Sequence, residues 1–499
     1  MPSRKRDATP NLTLYNLRDA QSETQEQTAA ALNALAAARG ENTAITGNHV
    51  SRWERGVVHP SRLHTQLLAE HFGVTPAELG LTRQRIAPAG HIANIIGALR
   101  DTIMLPNTDQ LKADPRVIES QQEWLHVRRK MSTHRLRLAD IAAQLYAPEV
   151  RSGTSGMLIH PEWNPPTPID LSQIRLTFTP GVRTAQVDGT EEFASAVRPL
   201  RTPTERYKRY SHAIRDVARP KLFENRPSWR LLHAQVSDTG GELSFGDMSY
   251  FEAMDTCEAV AHETAVHHLI NTGDEADAPS WRGLQFRKAI GNPFDLERRA
   301  LLLSINTLTI RVDRRSASVI LHSRDAESVA TSGGVIGVMP AGVFQPSTVR
   351  AGDHTPDFDL WRNIMREYSE EFLGNTEHQG DAAGADYQAE PFLSLDAARR
   401  AGQIRVYCLG VGISALDLWG AIETVAVIQA DVFDEIFAGL VDVNDEGTVL
   451  TVGRHQPTVH VPFTGEVINE LMATGRLAPE TAFTLRAAWA HRDALLGPL

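Results

Sequence analysis

Cysteine is almost missing from this sequence. Cys257 and Cys408 are too few for a disulfide framework or a four-cysteine zinc site. Long apolar runs are missing too. No stretch approaches about 18 apolar residues, so no membrane-spanning helix is predicted. The opening MPSRKRDATPN runs from basic to polar with no apolar segment behind it, which points away from a secretory signal. Positive charge is in deficit, with 50 Lys and Arg against 61 Asp and Glu and a formal net charge of −11. A chain this acidic is not a general polyanion binder, so any nucleic-acid contact must come from a local surface. No repeat of fixed period is present. The expectation is a soluble cytoplasmic protein.

The chain has 499 residues, 42% hydrophobic and 22% charged, an ordinary globular balance that supplies a sizeable core. That length fits roughly two to four domains. Residues 1–11 read as a polar arm and 12–80 as short helices. Residues 81–113, with their prolines and glycines, read as a linker holding one short apolar helix near 92–99. Asp114-Pro115 is an N-cap followed by proline at the first helical position. The helical pattern after it runs to about Tyr146, with Val117, Trp124, Leu125, Leu136, Ile141 and Leu145 apolar. This is either a core or scaffold helix or a dimer helix. From about 150, β-type runs alternate irregularly with helical ones. Strict βαβ alternation is missing, which predicts an α+β multidomain protein with a mixed α/β region. The expected segments are 1–83, 84–150, 151–310 and 311–499.

Residues 12–80 carry the most specific local pattern. Thr24-Gln25 opens a helix, a polar turn follows, and Thr46 caps GNHVSRWERG, which stops at Gly56. The run LRDAQSETQEQTAAALNAL, then VSRWERGVVHPS, then LLAEHFGVTPAELGL resembles the helix-turn-helix of the lambda-repressor/Cro-like (XRE family) regulators. The segment between Gln25 and Val50 is longer than the family's, so the second helix or the turn is extended. The resemblance implies an all-α DNA-binding domain whose recognition helix enters the major groove. By position, Gln25 falls at a phosphate or base contact, and Thr46, Asn48, His49, Ser51 and Arg52 fall on the recognition helix. Asn48 and Arg52 carry donors suited to adenine and guanine edges. Arg55, Arg62 and the arm residues Arg4, Lys5 and Arg6 are candidate phosphate contacts. Trp53 reads as packing, and the resemblance pairs Glu54 with Arg18. Residues 1–80 hold eight Lys or Arg and eight Asp or Glu, so the module is neutral. Helix-turn-helix folds also serve as protein-interaction modules.

His262-Glu263 with His267 and His268 invites a zinc-protease reading. A zinc helix needs histidines four apart on one face. Here His262 and His267 are five apart, about 140° out of line around a 3.6-residue helix. The expectation is a buried helix with one or two hydrogen-bonded histidines.

A second informative run is Arg366-Glu367-Tyr368-Ser369-Glu370-Glu371-Phe372-Leu373-Gly374. Glu367, Glu370 and Glu371 stand at i, i+3 and i+4, which puts three carboxylates on one helical face. Arg366 can pair with Glu370 across a turn. A hard divalent cation such as magnesium would relieve the repulsion between the carboxylates. With Val338-Met339-Pro340-Ala341-Gly342 upstream, the run resembles the Nudix box, the magnesium site of hydrolases acting on nucleoside diphosphates linked to another moiety. The resemblance implies a Nudix-like α/β/α sandwich. Gly342, Phe344 and Gln345 are its candidate ligand contacts, and Glu367, Glu370 and Glu371 hold the metal if it is retained. Gly342 to Arg366 is ten residues longer than the family's spacing, and Thr348 stands where the family has a loop glutamate.

The combined expectation is a homodimeric regulator that binds double-stranded operator DNA. Its Nudix-like region would sense a nucleotide-like effector without efficient catalysis. The alternatives are an active magnesium-dependent hydrolase with a DNA-binding appendage, and a protein-interaction scaffold.

Overall fold

The computed structural model describes most of residues 11–79 and of 114–497. Residues 1–10, 80–113, 271–278, 325–334, 376–383 and 450–460 lie outside the described residues, as do shorter stretches elsewhere. The expected arm and the expected linker helix near 92–99 are therefore outside them. The chain forms two compact units, Met1–Leu111 and Lys112–Leu499.

The first unit is helical. Its main elements are α1 (Gln25–Ala38), α2 (Gly47–Glu54) and α3 (Arg62–Phe72). Thr24 starts α1 with a capping box, its hydroxyl accepting from the Gln27 N–H while the Gln27 side chain accepts from the Thr24 N–H. Ala29, Leu32 and Ala36 recur at helical spacing. They bury one face against Val50 and Trp53 of α2 and Leu67 and Leu68 of α3. Each large side chain so buried contributes about 1.5–3 kcal/mol. α1 runs for 14 residues.

The second unit is built on a mixed sheet. Its strands begin with β1 (Met157–Ile159), β2 (Ile169–Asp170), β3 (Ile174–Val182), β4 (Pro227–Ser237), β5 (Gly240–Ser249) and β6 (Leu301–Val312). They continue with β7 (Ala317–Val319), β8 (Leu321–Arg324), β9 (Ile336–Val338), β10 (Ala341–Val343), β11 (Ile404–Ser414) and β12 (Gly420–Gln429). The main path is β1-β11-β12-β6-β4-β5-β3. β6 runs parallel to β12. Its other edge is shared along its length by β4, β10 and β7, all antiparallel to it. The expected boundary at 310/311 therefore needs correction. It cuts β6, a strand paired on both edges with segments from both sides of the boundary, and the pairing joins 151–310 and 311–499 into one sheet.

The helices that matter here are α4 (Pro115–Thr133), α5 (Arg135–Ala143), α6 (Tyr250–Ala265), α7 (Gln285–Ile290), α8 (Leu360–Glu367), α9 (Phe392–Arg400), α10 (Ala430–Ile436) and α11 (Pro479–Ala490). Asp114 caps α4 as expected, accepting from the Arg116 N–H at 2.9 Å. Trp124 of α4 is buried, and its indole donates to the Val197 carbonyl at 3.1 Å. The apolar face of α4 is thus spent inside its own unit, and α4 and α5 belong to that unit rather than to a separate linker segment.

The strands alternate as a two-sided sheet requires. On β12, Ile422, Ala426 and Ile428 join the cluster containing Leu360, Trp361 and Ile364 of α8. Val425 and Val427 face the other way and join Ala482, Leu485 and Ala488 of α11. Helices therefore cover both faces of the central strands.

Candidate functional site

In the first unit, the side chains that α2 buries and exposes divide cleanly. Val50, Trp53 and Glu54 are buried, whereas Thr46, His49 and Arg52 are exposed and Ser51 is half-buried. Thr46, His49 and Arg52 recur every third position and make one outward stripe. Asn48 lies on the same helix; its side chain falls outside the described residues, as do Arg55, the Arg62 side chain and Arg4, Lys5 and Arg6. His49 also closes the start of α2, because its Nδ1 accepts from the Thr46 N–H at 3.0 Å. That leaves Nε2–H as the outward donor of the ring. Trp53 packs as expected, with its ring centre 6.2 Å from His49 and 5.3 Å from His64. Burial and the nearby His49 push the His64 pKa down.

The base of α2 is locked by an internal network. Arg18 Nε meets Glu54 Oε1 at 2.5 Å, which is the expected pair. Gln25 Nε2 donates to Glu54 Oε2 at 2.7 Å. Gln25 therefore braces Glu54 from within the fold, in addition to any outward role. Gly47 sits where a side chain would run into the Glu26 carboxyl, so α1 and α2 approach closely there.

Sequence reasoning missed Asn33. From the middle of α1 its Oδ1 accepts from the Ile45 N–H at 2.9 Å and from the Thr43 hydroxyl at 2.9 Å. Its Nδ2 donates to the Ile45 carbonyl at 2.8 Å. One amide side chain thus fixes the chain just before α2. The signal was an asparagine set among the alanines and leucines of the helix's middle and end.

His262 and Glu263 lie in a buried, hydrogen-bonded stretch of helix, as expected, although the helix widens into a π-turn at Val266–Ile270, where His267 and His268 lie. His262 is buried, and its Nδ1 lies 2.9 Å from the Tyr210 hydroxyl. Burial, with the charge of Arg128, pushes its pKa down to about 3. Glu263 accepts from the N–H groups of Phe286 and Arg287 at 2.7 and 2.9 Å, capping α7.

The second candidate region is the contact between α8 and the strand β10 with its exit. Asp359 caps α8, accepting from the Arg362 N–H at 2.8 Å. Four side chains from this helix and its continuation meet residues 341–345. Asn363 Nδ2 donates to the Val343 carbonyl at 3.2 Å, and a guanidinium nitrogen of Arg366 donates to the Gln345 carbonyl at 2.7 Å. Glu371 Oε1 accepts from the Ala341 N–H at 3.3 Å. The Glu367 carboxylate fills the space into which any side chain at Gly342 would project. Past Glu367 the helix widens into a π-turn, Tyr368–Phe372. Tyr368 is fully buried, and its hydroxyl lies 2.8 Å from that of Thr309 on β6. Glu367, Glu370 and Glu371 are all half-buried.

The ligand candidates differ in position. Gly342 lies under Glu367. Gln345 is half-buried, with its Oε1 3.4 Å from the Ser228 hydroxyl. Phe344 is fully buried, its ring centre 4.5 Å from Trp229 and 5.3 Å from Phe245. Its place is the core, where its ring supports the strand from behind. The resemblance, rather than any alternation pattern, made it a candidate ligand contact; it follows the strand Ala341–Val343 and is buried.

The long loop after β10 is anchored at Asp357. Its Oδ2 accepts from the Ser347 N–H and hydroxyl at 2.9 and 2.7 Å, and its Oδ1 accepts from the Tyr387 hydroxyl at 2.6 Å. Burial pushes this carboxyl up, but these donors and Arg366 outweigh it and hold its pKa below the usual range. Across the sheet, Ala341, Asn306 and Glu423 stand in one row. Glu423 is fully buried, accepting from Asn306 Nδ2 at 3.1 Å and from the Thr484 hydroxyl at 2.8 Å. Burial and the charge of Glu480 push its pKa up to about 8.

A magnesium site needs several oxygen ligands converging on one point. Glu367 and Glu371 flank the same strand, but among the described residues no three His, Cys, Asp or Glu side chains converge in this way. The described residues do not by themselves form a closed metal cluster.

The profile of one known family, described as the SP15 N-terminal domain, matches residues 14–82. That span contains α1, α2 and α3. No curated protein matches the chain. Among the described residues, no helix is long and apolar enough to cross a membrane.

Proposed function

We propose that this protein is a DNA-binding transcriptional regulator of the lambda-repressor/Cro-like type. In this reading α2 is the recognition helix and enters the major groove. The observation that carries the reading is the division of α2. Thr46, His49 and Arg52 face outward in one stripe, while Val50, Trp53 and Glu54 hold the helix to the unit. A rigid helix with polar donors on its free face is what base-edge recognition requires. Homodimers of such units read half-sites about one DNA turn apart.

The second unit is proposed as a Nudix-like sensor of a nucleotide-type effector. Helices on both faces of the mixed sheet support it, as does the seating of Glu367 and Glu371 on residues 341–342. Effector binding would shift the chain between DNA-competent and DNA-incompetent states through its differential affinity for the two. The competing reading, an active magnesium-dependent hydrolase, is favoured by the same pair of carboxylates. Selection of preferred duplexes from a random pool tests the DNA reading. Recovery of no preferred sequence would overturn it.

A further inference from the structure

Residues 1–80, which hold the helices proposed to read DNA, carry no net charge, and this leaves a physical problem for a DNA-binding protein, because phosphate neutralisation supplies a large share of the affinity. One segment of the second unit has the missing charge. Residues 197–221 contain eight Arg or Lys and two Asp or Glu, within a chain whose net charge is −11. Arg209 is spent on Asp188 and Asp255. Arg198 is buried. Arg201, Arg206, Lys208, Arg215 and Arg219 are exposed.

These five cations are held on a braced frame. The loop closes on itself, with the Tyr207 N–H donating to the Pro199 carbonyl at 3.0 Å and the Arg201 N–H to the Glu205 carbonyl at 2.8 Å. The backbone of Leu200 is pinned to α4 by Ser120 at 3.0 Å and Gln121 at 2.9 Å. The buried Arg198 guanidinium donates to the carbonyls of Glu191 and Lys208 from beneath. Burial and the charge of Asp216 push the Tyr207 hydroxyl pKa up, and Arg201, Arg215 and Arg219 oppose them, so three guanidinium groups and one carboxylate lie within electrostatic reach of one ring. Among the described residues, the side chains of Arg201 and Lys208 make no hydrogen bond or ion pair. Asp216 pairs with Arg215 at 2.8 Å.

A second observation is conformational. Arg219 ends its helical turn with φ of +50°, in the left-handed region. Glycine is the residue that fits such a helix end without strain, and a non-glycine there costs about 1 kcal/mol or more.

We infer that the surface formed by Arg201, Arg206, Lys208, Arg215 and Arg219 binds the phosphate backbone of duplex DNA. It is independent of base sequence, and it supplies the electrostatic affinity that residues 1–80 lack. The inference rests on the DNA-binding reading only for its biological purpose; the surface itself would grip any duplex.

The test uses the full chain and a short duplex of unrelated sequence, with affinity measured across a salt titration. Replacing Arg201→Ala, Lys208→Ala and Arg219→Gly together should weaken binding and lower the salt slope by about one for each contact removed. Arg219→Gly alone removes backbone strain, so its Tm should hold or rise while its slope falls. This variant decides the matter if the triple variant folds poorly. An unchanged slope in Arg219→Gly and in a folded triple variant would overturn the inference. So would the absence of duplex binding by the wild type at low salt. Loss of binding to phosphatidylserine vesicles with DNA binding unchanged would also overturn it, in favour of a membrane surface. Arg52→Ala separates the two claims: it should alter sequence preference and leave this slope in place. A chain with no sequence preference but a patch-dependent slope would sink the recognition-helix reading and leave this inference standing.

Discussion

The carboxylate of Glu367 occupies the space that a side chain on Gly342 would need. This one relationship ties the helix of acids to the strand before it. It also gives the glycine a reason that does not depend on turn conformation. Gly342→Ala would force the Glu367 carboxylate to swing away. That side chain is flexible, so the loss of stability should be about 1 kcal/mol or less. Binding of ADP in the presence of magnesium should weaken by about tenfold, or roughly 1.4 kcal/mol. Calorimetric titration alongside a melting curve checks both. An undiminished affinity would remove this contact from the sensor.

Glu371 accepts the Ala341 N–H at the other end of the same contact. Glu371→Gln keeps the shape and removes the charge. Phosphate release from dinucleotides and sugar nucleotides with magnesium should be near background in the wild type and the variant alike, while ADP affinity changes. Robust turnover in the wild type that disappears in Glu371→Gln would replace the sensor with the hydrolase.

Asn33 satisfies both the N–H and the carbonyl of Ile45. Asn33→Ala strands those groups at the entrance to α2, a loss of about 1–3 kcal/mol. The first unit should melt earlier, and affinity for a selected duplex should fall without a change in sequence preference. An unaltered melting curve would show that the turn before α2 is held by other contacts.

Glu423 adds a pH dependence with a definite sign. Its folded pKa is raised to about 8 from the model-peptide value of 4.5. Between those values the folded chain holds a proton that the unfolded chain has lost. The stabilisation is complete below about pH 4.5, declines as pH rises, and is gone above about pH 8. Glu423→Gln should flatten that decline and raise the Tm at pH 8 relative to wild type. Each pKa unit of displacement corresponds to about 1.4 kcal/mol. Parallel Tm profiles for the two proteins would contradict the burial argument.

Local patterns were legible in the sequence, and long-range pairing was not. The Thr24 cap, the Asp114-Pro115 start and the buried Trp53 follow from side-chain chemistry within one or two helical turns. The Arg18–Glu54 pair was also expected, but from family resemblance. The zinc spacing was judged on a 3.6-residue period, whereas His267 and His268 lie in a π-turn, Val266–Ile270; His262 and Glu263 are internal braces by their own hydrogen bonds. The boundary at 310 failed because a strand's partners are not written in its own residues: β6 pairs with segments on both sides of it. Phe344 was named from the resemblance, which carries no information on burial, and its ring lies in the core. The π-turn after Glu367 was invisible because the 3.6-residue period was assumed throughout. Asn33 and the basic loop after Val197 were readable, the first as an asparagine within an alanine- and leucine-rich stretch and the second as a local reversal of charge.

The central claim is that the exposed stripe of α2 reads DNA sequence. The most direct measurement is a binding series on the preferred duplex and its single-base variants, comparing wild type with Arg52→Ala. The account predicts a loss of about 1–3 kcal/mol, with discrimination relaxed at one base pair of each half-site and kept at the others. Equal affinity and an unchanged preference at every position would contradict it.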